Sequence, residues 1–338
     1  QEQTAVGVID IDVRPDSQNV VFIVSRNASG QSRGLWKSTD YGENWVQTSL
    51  NTNNNNIKKL IITAQHPDTM YASANNGIYR SFDGGDSWNR VQTGNIRDYE
   101  VSVYDPATLF IIKTSENDEV LTSIDAGSSY SDTTTVAFNN GERSRIRVTA
   151  ADPAYVYFQS NNGIWRSTDS AQSFAFRGIS PANMAFGVSD TDKDLLIIGG
   201  LNQYASFDGG ATNSKVCDWV DPTGSDYVHA DGRVLGSWNG QLYLGTDGYL
   251  GTSNNGQNWS IVNFRGTPIR EFYRIGISIT DASYIIGGSQ DNGTSIRIDT
   301  AWYEWNGADG MECHIDNNNN NFWFGTTQNG GLIYGEQN

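Results

Sequence analysis

The sequence predicts an all-β chain, a β-propeller of about eight four-stranded blade units, and three observations carry that prediction. First, the string Ser38-Thr39-Asp40-Tyr41-Gly42-Glu43-Asn44-Trp45 recurs five more times in worn form. The copies begin at Ser81, Ser123, Ser167, Ser206 and Thr252, so successive starts lie 43, 42, 44, 39 and 46 residues apart. A period of that size, with four short strands in each unit, marks a propeller. Second, each repeat holds short apolar or alternating runs of strand length, bounded by Gly, Asn, Asp and Pro. Third, 36 glycines and 12% aromatic residues suit many tight turns between packed strands.

The units read in order with one grammar. An alternating strand comes first, such as Val6-Gly7-Val8-Ile9-Asp10-Ile11. A polar turn follows, containing Arg14-Pro15-Asp16, His66-Pro67-Asp68, Asp105-Pro106 or Asp152-Pro153 in the first four units. A second, more continuous apolar strand comes next, then an Asn- or Gly-rich turn such as Asn75-Asn76-Gly77, then a third strand. The recurring box leads into an outer strand. Eight units result, at about 5–50, 56–95, 97–138, 144–180, 184–222, 227–265, 270–306 and 308–338. The same grammar is compatible with seven to ten blades in the parent protein. Unit seven keeps only Asp299 and Trp302 or Trp305 of its box, and unit eight stops after Leu332-Ile333-Tyr334-Gly335. One repeat running end to end argues for a single body over 1–338, its last blade incomplete, and for a piece of a longer, multidomain or exported protein.

Composition narrows the partners. A formal charge of −16 disfavours nucleic acid and anionic membrane surfaces, which need clustered Lys and Arg. No apolar run approaches the length of a membrane span, so no membrane insertion is expected. Cys217 and Cys313 are expected to be two free buried thiols rather than a bridge. With only His66, His229 and His314 in the chain, a zinc centre is disfavoured.

The pattern S-x-D-x-G-x-x-W resembles the Asp-box, or BNR repeat, along nearly the whole chain. A structural role for Asp40, Asp83, Asp125, Asp169 and Asp208 follows from the residue types: Ser and Asp oxygens accept turn N–H groups, and Gly supplies the left-handed backbone. The resemblance implies the same, since Asp-box turns lie on the face opposite the active site. A ligand site belongs on the other face, formed by second-to-third turns and the connections between blades.

Units six to eight carry unusual polar residues on that face. The candidates are His229 and Asp231 before unit six, Asp247 in Gly245-Thr246-Asp247-Gly248, and Gln290, Asp291 and Asn292 before Gly293-Thr294. Asp309 and Glu312 lead into unit eight, and His314 in its first strand is expected to be a satisfied inner-strand residue. Turn formation competes with ligand binding at each Asp-Gly or Asn-Gly step. No cofactor is required on this reading; calcium, held by Asp247, Asp291 and Asp309, is the cation that oxygen-rich turns suit. These segments also resemble secreted bacterial propellers related to the sortilin-type domain, which have a Q-D-N-G-T turn and a G-G-D-G lead-in. Ala308 stands where a Gly is usual, and Ala230 where an acidic residue or His is common.

Asp-box propellers include glycosidases. A sialidase is disfavoured because no Arg-Ile-Pro segment precedes the first box. A xyloglucanase-type hydrolase is built from two propellers straddling a cleft, and Asp231, Asp247, Asp291, Asp309 and Glu312 would supply its carboxylate pair here. Photosystem-assembly propellers that share Asp-box-like turns rely on an Arg patch, and this acidic chain is expected to lack a dense one, which disfavours that reading. The favoured expectation is a secreted or cell-surface bacterial propeller that binds a peptide, protein or glycan without catalysis. The glycosidase is the alternative. Tyr249, Phe272, Tyr273 and Trp302 are the aromatic candidates for sugar stacking, with packing between blades as the favoured competing role.

Overall fold

The computed structural model describes residues 6–27, 32–50, 56–114, 118–132, 143–160, 163–220, 224, 226–262 and 272–337. Their strands form eight antiparallel sheets, one per expected unit, at 6–47, 57–93, 95–132, 145–178, 185–215, 234–261, 274–306 and 310–336. Seven sheets have four strands in sequence order, and the last has three. This is the blade organisation of a β-propeller. Among the described residues there is no α-helix, and no helix is long and apolar enough to cross a membrane. The chain groups into two compact units, residues 1–246 with 251–260, and residues 247–250 with 261–338.

In the first unit the core is a series of layers between successive blades. Second strands such as Met70–Ala74 and Val156–Ser160 are buried at every position, because both of their faces are covered. Alternation sends neighbouring side chains into different layers. Met70 and Ala72 pack with Phe22, Val24 and Leu35 of blade one, whereas Tyr71 packs with Ile96, Leu109 and Ile111 of blade three. Phe110 and Ile112 then meet Val156 and Phe158 of blade four, and Tyr157 meets Phe186, Leu196 and Ile198 of blade five. The box aromatics close these layers from outside: Trp88 packs on the first, Tyr130 on the second and Phe174 on the third.

Five box turns share one bonding pattern. The buried Ser38, Ser81, Ser123, Ser167 and Ser206 hydroxyls each donate to the following Asp Oδ1. Each also accepts the backbone N–H four residues on, at 2.8–2.9 Å. The Asp Oδ1 in turn accepts the N–H four residues beyond itself, from Asn44, Ser87, Ser129, Ser173 or Thr212. The Ser87 and Ser129 hydroxyls, with those N–H groups, hold the Asp83 and Asp125 carboxyls down at about 2. The sixth box departs from the sequence alignment. Ser253 and Asn255, not Thr252 and Asn254, take the Ser and Asp places, and the turn is one residue shorter: Gly256 N–H donates to Ser253 Oγ and Asn258 N–H to Asn255 Oδ1.

The second unit has its own core of Ile286, Ile296, Cys313, Ile315 and Trp323. Blade seven replaces the box by a two-residue hairpin between Thr294–Ile298 and Ala301–Asn306, with Asp299 at φ +56°. Cys217 and Cys313 are both free and buried.

Candidate functional site

The turn containing Gln290, Asp291 and Asn292 is built by interlocked backbone bonds with the lead-in to blade eight. Gly293 N–H donates to Ala308 O at 2.8 Å, Gly310 N–H to Ser289 O at 3.0 Å, and Ser289 N–H to Gly293 O at 2.9 Å. The buried Asp309 carboxylate accepts the Asp291 N–H at 2.6 Å. Three residues here, Asp291, Gly293 and Ala308, have φ of +59°, +66° and +61°. Ala308 thus holds a left-handed conformation that glycine adopts without strain. Asn292 Nδ2 donates to Gln290 O at 3.2 Å and reaches Asp247 O at 3.5 Å, and the Tyr273 hydroxyl donates to Gln290 Oε1. The second unit thus brings together Asp247, Gln290, Asp291, Asn292 and Asp309, with Asp309 spent on turn backbone.

Glu312 stands apart from that cluster on the solvent side of its strand, where it pairs with Arg274 at 3.4 Å, both largely exposed. His314 shares that exposed side while Cys313 and Ile315 face the core, so the expected satisfied inner-strand histidine is instead open to solvent. Alternation in the Gly310–Ile315 strand decides this. In the first unit, His229 lies beside the Ala230 carbonyl, and Asp231, at φ +59°, pairs with Arg233 at 3.2 Å. Gly232 N–H donates to Gly200 O, and a Cβ at Gly232 would lie 2.3 Å from Gln203 Oε1, so this loop is seated tightly on blade five. Among the described residues, no three His, Cys, Asp or Glu side chains converge.

Of the aromatic candidates, Phe272 stacks on Trp302 with ring centres 6.0 Å apart and planes at 19°. Gly287 leaves room for it, since a Cβ there would lie 2.4 Å from the Phe272 ring. Tyr273 and Trp302 remain about half exposed.

The structure also assembles a charged cluster that sequence reading missed. First strands of a propeller are sheet edges with unpaired N–H and C=O groups. Here their charged side chains reach across to the next blade's edge. Asp10 and Asp12 accept the N–H groups of Leu60 and Ile62 at 2.6 and 2.8 Å. Lys59 donates to Tyr99 O at 2.7 Å, and Arg147 to Phe186 O at 2.9 Å. Asp98 sits between Lys59 and Arg147, at 3.2 and 2.6 Å, with Glu100 completing the network. Burial alone would raise the Asp98 carboxyl, but Lys59 and Arg147 override it and hold it low. Arg97 pairs with the fully buried Asp118. Arg97, Arg143, Arg145 and Arg147, scattered over about 50 residues of sequence, line one cavity of about 460 Å³ together with Lys58 and Lys59. The available sequence signal was charged residues two apart within first strands.

Asp12 carries a pH-dependent cost. Burial, aided by the neighbouring Asp10, raises its carboxyl to about 6 despite the Ile62 N–H. The native state then holds a proton that the unfolded chain releases above the ordinary value of 3.8. Stability from this group therefore falls as pH rises from about 4 to 6, by at most about 3 kcal/mol. Asp12→Asn keeps an acceptor for Ile62 and removes the charge. Urea unfolding at pH 4.5 and pH 8 is expected to show the variant gaining on the parent at the higher pH. An equal difference at both values would contradict the assignment.

No protein-family model matches the chain. A xyloglucanase of Hypocrea jecorina (strain QM6a) is 27% identical over 254 residues, taking in 70% of this chain. The chain spans 28% of that relative's length. A GH74 enzyme of Niastella koreensis matches with a TM-score of 0.56 at 12% identity, over 98% of this chain and 64% of that one. YCF48 bound to D1 peptide matches with a TM-score of 0.55 at 15% identity, over 89% of this chain and 96% of that one. These likenesses establish the β-propeller fold.

Proposed function

We propose that this chain is a glycan-recognising propeller of the xyloglucanase type, working outside the cell as half of a polysaccharide-binding cleft. The observation that carries this reading is the 27% identity with a xyloglucanase across 254 residues. Two features of the second unit support it. The half-exposed Trp302, braced from behind by Phe272, and the half-exposed Tyr273 offer flat apolar faces to the C–H side of a pyranose ring. Gln290, Asn292 and Asp247 add hydrogen-bonding groups of the kind sugar hydroxyls use. On this reading the chain supplies recognition. Asp309 accepts the Asp291 N–H, and Glu312 lies beside Arg274 away from the Gln290–Asn292 turn.

The test is affinity electrophoresis of the purified chain in gels containing xyloglucan, with a parallel assay for new reducing ends. Retardation by xyloglucan is expected, lost by roughly tenfold in affinity on Trp302→Ala, which removes a stacking ring. Release of reducing ends that vanishes on Asp291→Asn or Asp309→Asn would move catalysis into this chain. A folded chain that neither binds nor cleaves any glucan tested would sink the reading.

A further inference from the structure

The cavity among the first strands of blades one to four is lined by Lys58, Lys59, Arg97, Arg143, Arg145 and Arg147, against only two carboxylates, Asp10 and Asp98. A basic excess of that size is unusual in a chain of net charge −16. Much of it is already matched: Lys59 and Arg147 by Asp98 and Glu100, Arg97 by Asp118. Lys58 and Arg145 differ. Lys58 Nζ donates to Asn95 Oδ1 at 2.9 Å and to Ile96 O. Arg145 donates to the carbonyls of Arg143, Asn183 and Met184. Among the described residues neither pairs with a carboxylate. Carbonyl dipoles fix where these two groups sit; among the described residues Lys58 has no carboxylate beside it, and Asp98 offsets only part of the Arg145 charge in this partly desolvated place. Burial accordingly lowers both Lys58 and Arg145 from their ordinary values, with Arg97 and Arg147 adding repulsion.

We infer that this cavity is a binding site for one carboxylate group of a small ligand, with Arg145 and Lys58 as its charge partners. A planar carboxylate suits a guanidinium held in fixed orientation. Asp10 and Asp98, facing the same space, repel a multiply charged group and so favour a single negative charge. The site stands apart from the glycan reading, because xyloglucan is neutral and its aromatic platform belongs to the second unit. Each can therefore fail without the other.

The experiment is calorimetric titration of the purified chain with glucuronate, acetate, glucose and inorganic phosphate, in 50 mM and 500 mM NaCl. Glucuronate is expected to bind, glucose not, and the higher salt to weaken binding severalfold. Arg145→Gln and Lys58→Gln are each expected to weaken it by about tenfold while the melting temperature stays within a few degrees. Acetate binding as tightly as glucuronate would support recognition of the carboxylate alone, and tighter glucuronate binding would add the sugar ring to it. If Arg145→Gln fails to fold, Lys58→Gln decides the matter. Binding of phosphate alone, no binding of glucuronate by the folded chain, or unchanged affinity in the variants would overturn the assignment.

Discussion

Asp98→Ala is expected to lower the unfolding free energy by about 3–5 kcal/mol, measured as a fall in the urea midpoint at constant slope. The carboxylate accepts Lys59 at 3.2 Å, Arg147 at 2.6 Å and the backbone N–H groups of Tyr99 and Ile146 at 2.9 and 3.3 Å. Deleting it leaves two part-buried cations sharing Glu100 and an edge N–H of blade four with no acceptor. The cost of the deletion is mostly that of stranded charge. Lys59→Met in the same background should therefore recover part of the loss, a coupling that a double-mutant cycle measures directly. A loss below about 1 kcal/mol for Asp98→Ala would mean that water reaches the network freely, as at an exposed pair.

Gly293→Ala is expected to cost about 3 kcal/mol or more and to loosen the turn that carries Gln290, Asp291 and Asn292. Two effects add. Residue 293 has φ +66°, where an L side chain is strained, and the new Cβ would lie 2.1 Å from Asn306 O, a backbone atom with no rotamer to escape into. Ala308→Gly works in the opposite direction, relieving a left-handed alanine at φ +61°, and should stabilise by about 1 kcal/mol. Hydrogen exchange at the Ser289 and Gly310 amides reports on both, since each donates within this loop pair. Faster exchange in Gly293→Ala and slower exchange in Ala308→Gly is the expected pattern. Unchanged exchange in both would contradict the interlocked geometry.

The blade repeat and the order of strands within each sheet were determined by the sequence itself, because their causes are local. A box turn is closed by bonds from Gly42 N–H to Ser38 Oγ and from Asn44 N–H to Asp40 Oδ1, each pair four residues apart, so each repeat carries its own instructions. The sixth box shows the limit even of local reading. Ser253 and Asn255 displaced the aligned pair because a shorter turn makes the same bonds with them. Part of the candidate site was legible too, since Asp-Gly and Asn-Gly steps announce tight turns. What Asp309 does with its carboxylate was not, because its partner is a backbone N–H 18 residues away. The charged cluster was decided by tertiary structure alone. Asp10 with Leu60, Lys59 with Asp98 and Arg147 with Asp98 join residues 39 to 50 positions apart, about one repeat. Only the stacking of one blade's first strand on the next sets a cation beside a carboxylate, or leaves Arg145 and Lys58 facing a cavity with carbonyls for company.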